Sequence, residues 1–245
     1  MNRKFSFTGW RALAEAHPSA FLLAAQFISL LLYAAFDGSA NGRALLGVFG
    51  VLVLMLVVWV ITHSPALNWI AWILVGPAIV LLLLSIWFDN PTLLSWAALL
   101  EAALYFYAAG SRVAYMMEDY RVTIDELFAA GATFTLLAWG FAYLYIIVQA
   151  LDPGSITGLR DPGQPRTFLE LLFMSFTNLT ATGLGDVIPV TPPARVIVML
   201  EQFSGIGYVA VVVSRLIGMT LTQQKEKETP DSSRPDRAHT QKGKN

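Results

Sequence analysis

Two glycines and an aspartate interrupt an otherwise apolar part of the chain, in the stretch SFTNLTATGLGDVIPVTPPAR between Ser175 and Arg195. Gly183 and Gly185 allow positive or otherwise unusual φ values, which can turn successive backbone carbonyls toward one axis. Carbonyl oxygens arranged in this way can replace the hydration shell of a cation. This spacing, closed by Asp186, predicts that the backbone itself binds a cation.

The segment before these glycines has the composition of a short apolar helix. Thr167–Asn178 reads TFLELLFMSFTN and is too short to cross the roughly 30 Å of hydrocarbon in a bilayer. We expect it to enter the membrane from outside, with its carbonyl end directing partial negative charge toward the membrane centre, where a cation is favoured. The irregular backbone that follows must be buried in protein or line a water-filled path, because exposed amides and carbonyls are costly in hydrocarbon.

The composition indicates an integral membrane protein. Of the 245 residues, 56% are hydrophobic and only 13% are charged, too few to cover the surface of a soluble domain. The net charge of -1 and the dispersed basic residues argue against a nucleic-acid partner. Cysteine is absent, which excludes disulfides and thiol chemistry. We expect no cofactor, no resident metal and no enzymatic activity.

Six apolar runs have the length that a bilayer demands of a helix. The sequence therefore predicts an all-α membrane protein with six transmembrane helices, and with the short re-entrant helix and its loop between the fifth and the sixth. The predicted helices are Ser19–Phe36, Ala44–Ile61, Asn68–Trp87, Thr92–Ala109, Leu127–Leu151 and Ala194–Leu221.

Basic residues predict the orientation of these helices. They flank the amino terminus, the segment after helix four and the end of helix six, which places both termini in the cytoplasm and the re-entrant loop outside. The residues are Arg3, Lys4, Arg11, Arg112, Arg121, Arg215, Lys225 and Lys227, while Arg43, Arg160 and Arg166 fall outside. The first apolar run is too long for a cleaved signal peptide and lacks a small-residue cleavage site. We expect a multi-pass protein of the plasma membrane, in bacteria the inner membrane.

The loop resembles the selectivity filter of the potassium channel superfamily, which reads T-T-V-G-Y-G-D. The corresponding residues are Thr180, Ala181, Thr182, Gly183, Leu184, Gly185 and Asp186, and four of the seven are identical. DVIPVTPPAR is similar to the D-x-x-P-V-T-x-x-x-R that follows the filter in small bacterial potassium channels. Between about Val122 and Met219 the chain resembles bacterial proteins of the two-pore or six-helix potassium channel type.

This resemblance implies a passive cation channel. One filter strand cannot encircle an ion, so the family solution is a homotetramer in the lipid bilayer. The permeant ion is expected to be K⁺, with Na⁺ also possible. The implied organisation is a four-helix domain at 1–112, a cytoplasmic linker at 113–126, a pore domain at 127–222 and a disordered tail at 223–245.

Three departures from the family filter predict reduced selectivity. Ala181 has no hydroxyl to offer the innermost ion site, and Thr182 replaces a valine that packs behind the filter. Leu184 replaces a tyrosine whose hydroxyl normally bonds the surrounding helix. Because selectivity depends on ligand number, field strength and rigidity, strict K⁺ preference is in doubt while cation conduction is not.

Several residues leave two interpretations open. Gly205 lies where the family carries a gating hinge, but a glycine there can also permit close helix packing. Glu201 is expected to support the filter by accepting hydrogen bonds, for example from Thr177 or Asn178, with a pore-facing role as the alternative. Glu101 is either a functional site or a buried carboxyl paired with a hydroxyl or with Gln26.

The polar segment between helices four and five also has two interpretations. YMMEDYRVTIDELF either couples the front helices to the pore or is a solvated connector with an acidic face formed by Glu118, Asp119, Asp125 and Glu126. Helix four has no arginine before Arg112, so voltage sensing through it is not expected. A secondary transporter and a non-conducting scaffold derived from a channel remain as alternative functions, although the inverted repeats of a transporter are not evident.

Overall fold

A computed structural model describes residues 18–36, 40–62, 68–88, 90–118, 123–159 and 163–228. These residues form helices almost throughout, with two short strands in the segment between the last long helices. The helices are α1 (Pro18–Phe36), α2 (Ala40–Thr62), α3 (Asn68–Phe88), α4 (Pro91–Glu118), α5 (Ile124–Leu151), α6 (Phe168–Leu179), α7 (Pro192–Tyr208) and α8 (Ser214–Glu228). The strands are β1 (Ile156–Gly158) and β2 (Val187–Pro189), and a π-helical turn at Val209–Val213 joins α7 to α8.

Five stretches of the described chain are long and apolar enough to cross a membrane. They are Pro18–Phe36, Asn68–Ser85, Pro91–Met117, Ile124–Leu151 and the continuous rod Pro192–Leu221. In α2 the apolar part found is the shorter Phe49–Thr62, and α6 is short as well. The protein is therefore a mostly helical membrane protein, and its long apolar helices lie where the sequence predicts them.

Aromatic side chains mark the two ends of α3. Trp69 and Trp72 are exposed at its beginning, and Trp87 and Phe88 are exposed at its end. Aromatic residues of this kind are enriched at both membrane–water interfaces. The length between the two pairs therefore corresponds to the apolar layer of the bilayer.

Helix α5 lies at the centre of the protein and contacts α1, α4, α6 and α7. Its buried side chains include Ala132, Leu136, Trp139 and Tyr145. A helix that is apolar on all sides is covered by other helices or faces lipid, and α5 packs against these four neighbours. This central helix thereby connects α1 and α4 to α6 and α7.

The junction between α4 and α5 differs from the predicted connector. Helix α4 continues beyond Ala109 to Glu118, and α5 begins before Leu127 because Thr123 and Glu126 form a capping box. The Glu126 amide donates to the Thr123 hydroxyl at 3.2 Å, and the Thr123 amide donates to the Glu126 carboxylate at 3.1 Å. The predicted solvated acidic face is wrong for Asp125 and Glu126, which are both buried. Asp119 lies outside the described residues.

A buried ion pair explains why the polar end of α4 stays helical. The Arg112 guanidinium lies 3.7 Å from the Asp125 carboxylate, and it also donates to the Ser19 hydroxyl. Asp125 accepts from the hydroxyl of Ser19 at 2.9 Å and from its backbone amide at 3.2 Å. The guanidinium stacks 4.8 Å from the ring centre of Tyr115. This cluster joins the beginning of α1, the end of α4 and the first turn of α5.

The carboxyl-terminal region is partly helical. Helix α8 continues to Glu228, so the first residues of the predicted disordered tail, from Gln223, belong to a helix. The remainder of that tail lies outside the described residues. The same holds for the predicted topogenic residues Arg3, Lys4, Arg11, Arg121 and Arg160.

Candidate cation-binding loop

Helix α6 is the short apolar helix that the sequence predicts before the loop, and a capping box fixes its beginning. The Thr167 hydroxyl accepts from the Glu170 amide at 3.3 Å, and the Glu170 carboxylate accepts from the Thr167 amide at 2.7 Å. Its apolar side, with Leu171, Leu172 and Met174, is buried. The helix ends at Leu179, directly before the candidate filter residues Thr180–Asp186.

The inner half of this loop is bonded to the end of α6. The Ala181 amide donates to the Asn178 carbonyl at 2.9 Å. The Thr182 and Gly183 amides both donate to the Thr177 carbonyl, at 2.8 and 3.0 Å. In a planar trans peptide the carbonyl points opposite to the amide hydrogen. The carbonyls of Thr180, Ala181 and Thr182 are therefore directed away from α6.

Backbone handedness alternates along the same residues. Thr180 is right-handed, Ala181 has a φ of 56° and Gly183 has a φ of 65°. Among the described residues Ala181 is the one non-glycine residue with positive φ, a conformation that costs an L-residue roughly 1–2 kcal/mol. The sequence pointed to Gly183 and Gly185 instead, and Gly185 is not among the residues with positive φ.

The threonine hydroxyls bond within the loop. Thr180 donates to the carbonyl of Phe176 at 2.8 Å or to that of Thr177 at 3.2 Å. Its hydroxyl also lies 2.9 Å from that of Thr182. The side chain that replaces the family valine is therefore tied to its neighbour in the loop.

All seven loop residues from Thr180 to Asp186 are exposed in the single chain. In the part of the chain that the structure describes, no three His, Asp or Glu side chains come together as a metal site would require. The oxygen ligands that this loop offers a cation include the carbonyls of Thr180, Ala181 and Thr182, which the hydrogen bonds of the following amides direct away from α6.

A buried polar network supports the loop from behind. Glu201 of α7 is fully buried and accepts hydrogen bonds from Ser175 of α6 and from Tyr145 of α5. Tyr145 also forms a hydrogen bond with the side chain of Asn178. The network therefore ties all three helices together immediately behind the loop.

The expected donors to Glu201 are wrong in detail. The Thr177 hydroxyl donates to the Met174 carbonyl at 2.9 Å, and Asn178 bonds Tyr145. The pore-facing alternative for Glu201 is wrong as well, because this side chain is buried in the single chain. Sequence reasoning missed Ser175 and Tyr145, whose only signal is a hydroxyl in an apolar helix.

Gly205 permits a close approach between α7 and α6. A Cβ atom at this position would overlap the carbonyl oxygen of Leu179 and lie 2.8 Å from its carbonyl carbon. The packing interpretation of Gly205 is thereby confirmed, and a hinge at the same residue stays a prediction. The π-helical turn begins one turn later, at Val209.

The outer end of the loop is held by a short β-ribbon. Strands β1 and β2 pair antiparallel, with Gly158 opposite Val187 and Ile156 opposite Pro189. The Leu159 amide continues this pairing to the Asp186 carbonyl at 3.0 Å. The segment between α5 and α6 thus contains a strand, and the residue after this strand binds Asp186, the last residue of the candidate loop.

Glu101 has a hydroxyl partner. It is buried in α4 and bonds the side chain of Tyr143 of α5. Gln26, the other suggested partner, accepts from the Thr135 hydroxyl at 2.6 Å. Of the pairings that the sequence left open, the one with a hydroxyl is therefore confirmed.

Comparison with known proteins identifies the same part of the chain. Residues 131–222 match the family described as an ion channel. No curated protein and no solved structure matches the chain. The match covers less than half of the sequence and runs from α5 through the loop to α8. It supports an ion channel built around this loop.

Proposed function

We propose that this chain is one subunit of a homotetrameric, passive cation channel that conducts K⁺ and excludes Na⁺ incompletely. The observation that supports it most is the loop in which amides are bonded back to α6 and carbonyls are turned to the exposed side. Carbonyl oxygens arranged in this way can replace the water molecules around a hydrated cation.

One loop requires a ring of copies to surround an ion, and the number four is that of the potassium channel family which the loop resembles. A single row of carbonyls lies on one side of an ion, and a closed ring of copies encircles it. The rod formed by α7 and α8 offers the surface for these copies, because its large apolar side chains are exposed along its length. They are Val196, Met199, Leu200, Phe203, Ile206, Val209, Val211, Val213, Ile217 and Leu221.

In this proposal α2 also crosses the membrane, which brings the number of transmembrane helices to six. Helix α6 enters the membrane from the outside without crossing it. Both termini then lie in the cytoplasm, in the plasma membrane or the bacterial inner membrane. The continuous rod Pro192–Leu221 is long enough to carry the chain from the outer mouth back to the cytoplasmic side.

Purified protein in liposomes tests this function. We expect valinomycin-independent K⁺ flux down its gradient, absent from protein-free liposomes, and a tetramer by native mass measurement in detergent. A tetramer without flux would favour the scaffold alternative. Flux that requires the gradient of a second solute would favour a transporter.

The filter residues allow a prediction about selectivity. In the variant Ala181→Thr with Thr182→Val, we expect the K⁺ to Na⁺ permeability ratio to rise about tenfold, which requires only about 1.4 kcal/mol. The first change supplies a hydroxyl at the innermost site, and the second restores the apolar side chain that packs behind the filter in the family, in place of the contact between the Thr180 and Thr182 hydroxyls. The measurement is the reversal potential under bi-ionic conditions.

The single variant Thr182→Val is the matched control, since a β-branched threonine at the positive φ of residue 181 adds strain of its own. We expect it to give part of the rise in selectivity. Wild-type protein as selective as the double variant would show that the backbone carbonyls alone determine the preference.

A further inference from the structure

Among the described residues that lie outside the helices, Arg166 is the most buried charged side chain, and the function proposed above does not use it. Only 6% of it is exposed, although it lies in a segment rich in glycine and proline between β1 and α6. A guanidinium is withdrawn from water only where it is paired and hydrogen-bonded. Its partners therefore indicate what it holds in place.

Three hydrogen bonds to two groups hold the guanidinium of Arg166. Nε and one terminal nitrogen donate to the Gln164 carbonyl at 3.1 and 2.7 Å. The other terminal nitrogen donates to the Glu170 carboxylate at 3.2 Å. Glu170 is the capping residue of α6, so the guanidinium is anchored to the first turn of that helix.

The backbone of Arg166 is fixed by α5. The Gln149 side chain accepts from the Arg166 amide at 2.6 Å and donates to the Arg166 carbonyl at 3.1 Å. Gln149 lies in the last turn of α5. Arg166 is thus held between the outer ends of two helices, with little freedom to move.

The same guanidinium lies directly against β1. A Cβ atom on Gly158 would lie 2.5 Å from a terminal nitrogen of Arg166, so glycine is required for this contact. Gly158 pairs with Val187, and the next amide along β1, that of Leu159, bonds the Asp186 carbonyl. The guanidinium therefore packs against the ribbon next to the hydrogen bond that holds Asp186, the last residue of the proposed filter.

The filter is consequently held at both ends by different elements. Amides of its inner half are bonded to the last carbonyls of α6, and its last carbonyl is bonded to β1. Leu184 lies between these points. The potassium channel family has a tyrosine at this position, whose hydroxyl forms a hydrogen bond with the surrounding helix. The outer half thus depends on the ribbon for its position.

We propose that Arg166 is a positioning residue for ion selectivity, which through Gly158 and the β1–β2 ribbon sets the place of the outer filter carbonyls; this inference rests on the proposed channel function. Displacing the guanidinium lets Asp186 move with β1, and the filter then discriminates less between K⁺ and Na⁺. Arg166 acts on the ion only through these contacts.

Two variants disturb this contact from opposite sides. Arg166→Lys keeps the charge. One ammonium cannot replace the planar guanidinium, which donates to both Gln164 and Glu170 while it contacts Gly158. Gly158→Ala keeps the arginine and pushes it away from the ribbon. Gly76→Ala is the matched control, because a Cβ atom there has no neighbour within 4 Å in the described structure.

The test is the bi-ionic reversal potential of each protein in planar bilayers. This potential is independent of how many channels are folded, so a merely structural loss leaves it unchanged. In both Arg166→Lys and Gly158→Ala we expect the K⁺ to Na⁺ permeability ratio to fall about threefold or more, within the range of one weakened hydrogen bond. Hydrogen exchange at the Leu159 amide should rise, while exchange at the Thr182 and Gly183 amides should not.

Wild-type selectivity in both variants, with a conducting wild type, would overturn the role of Arg166 and leave the channel function standing. A shift in Gly76→Ala equal to theirs would overturn it as well. A wild type that passes no cation would overturn the proposed function and this inference together. The wild-type current distinguishes the two failures.

Discussion

Gly205→Ala is expected to abolish cation flux and to lower the thermal stability of the protein strongly. The added methyl group would overlap the carbonyl oxygen of Leu179, which is the last residue of α6. A backbone carbonyl cannot rotate away as a side chain can. Either α7 separates from α6 or the base of the filter moves, and overpacking of this kind costs about 1–3 kcal/mol or more. Liposome flux and the melting temperature in detergent measure the two effects.

Gly207→Ala is the control on the same helix. A Cβ atom there meets nothing within 4 Å in the described structure, and alanine favours a helix over glycine by roughly 0.5–1 kcal/mol. We expect this variant to be at least as stable as the wild type. If Gly205→Ala conducted equally well, the close contact with Leu179 would not be needed for the filter.

Asp125→Asn is expected to give the largest loss of stability among changes remote from the filter. It leaves the Arg112 guanidinium, of which 1% is exposed, without its counter-charge. Breaking a buried pair by removing one partner typically costs about 3–5 kcal/mol. The melting temperature in detergent should fall markedly, and the beginning of α1 should be held less firmly to α5, because Asp125 also accepts two hydrogen bonds from Ser19.

Two further variants separate burial from charge in this test. Asp152→Asn removes a carboxylate from the exposed end of α5 and should leave stability nearly unchanged. Arg112→Met with Asp125→Leu removes both buried charges, and such replacements are often neutral. A double variant as unstable as Asp125→Asn would show that packing at these positions, and not the uncompensated charge, is responsible.

The long helices were predictable because hydrocarbon imposes a minimum length on an apolar run. The polar end of α4 was not predicted to be helical, because the carboxylate that pairs with Arg112 comes from the next helix, at Asp125. The same limit applies to Glu201. Its burial follows from an apolar helix around it, but its donors Ser175 and Tyr145 come from two other helices.

The loop was predicted from its glycines, and part of its geometry was still missed. Positive φ at Ala181 is forced by the hydrogen bonds of its neighbours to α6, and no property of alanine signals it. Strand β1 was missed because three residues have no detectable period. Its pairing partner lies beyond the whole of α6, so only the folded chain brings the two strands together.

The π-helical turn at Val209–Val213 changes which side of the rod Pro192–Leu221 each later residue occupies. A turn with i to i+5 bonds contains one residue more than an α-helical turn, and at 3.6 residues per turn one residue corresponds to a rotation of about 100°. A helical wheel drawn without interruption from Pro192 therefore assigns residues beyond Val213 to the wrong azimuth. An uninterrupted wheel places Gly205 and Leu216 about 20° apart, whereas subtracting the extra residue places them about 80° apart, so α7 and α8 require separate wheels.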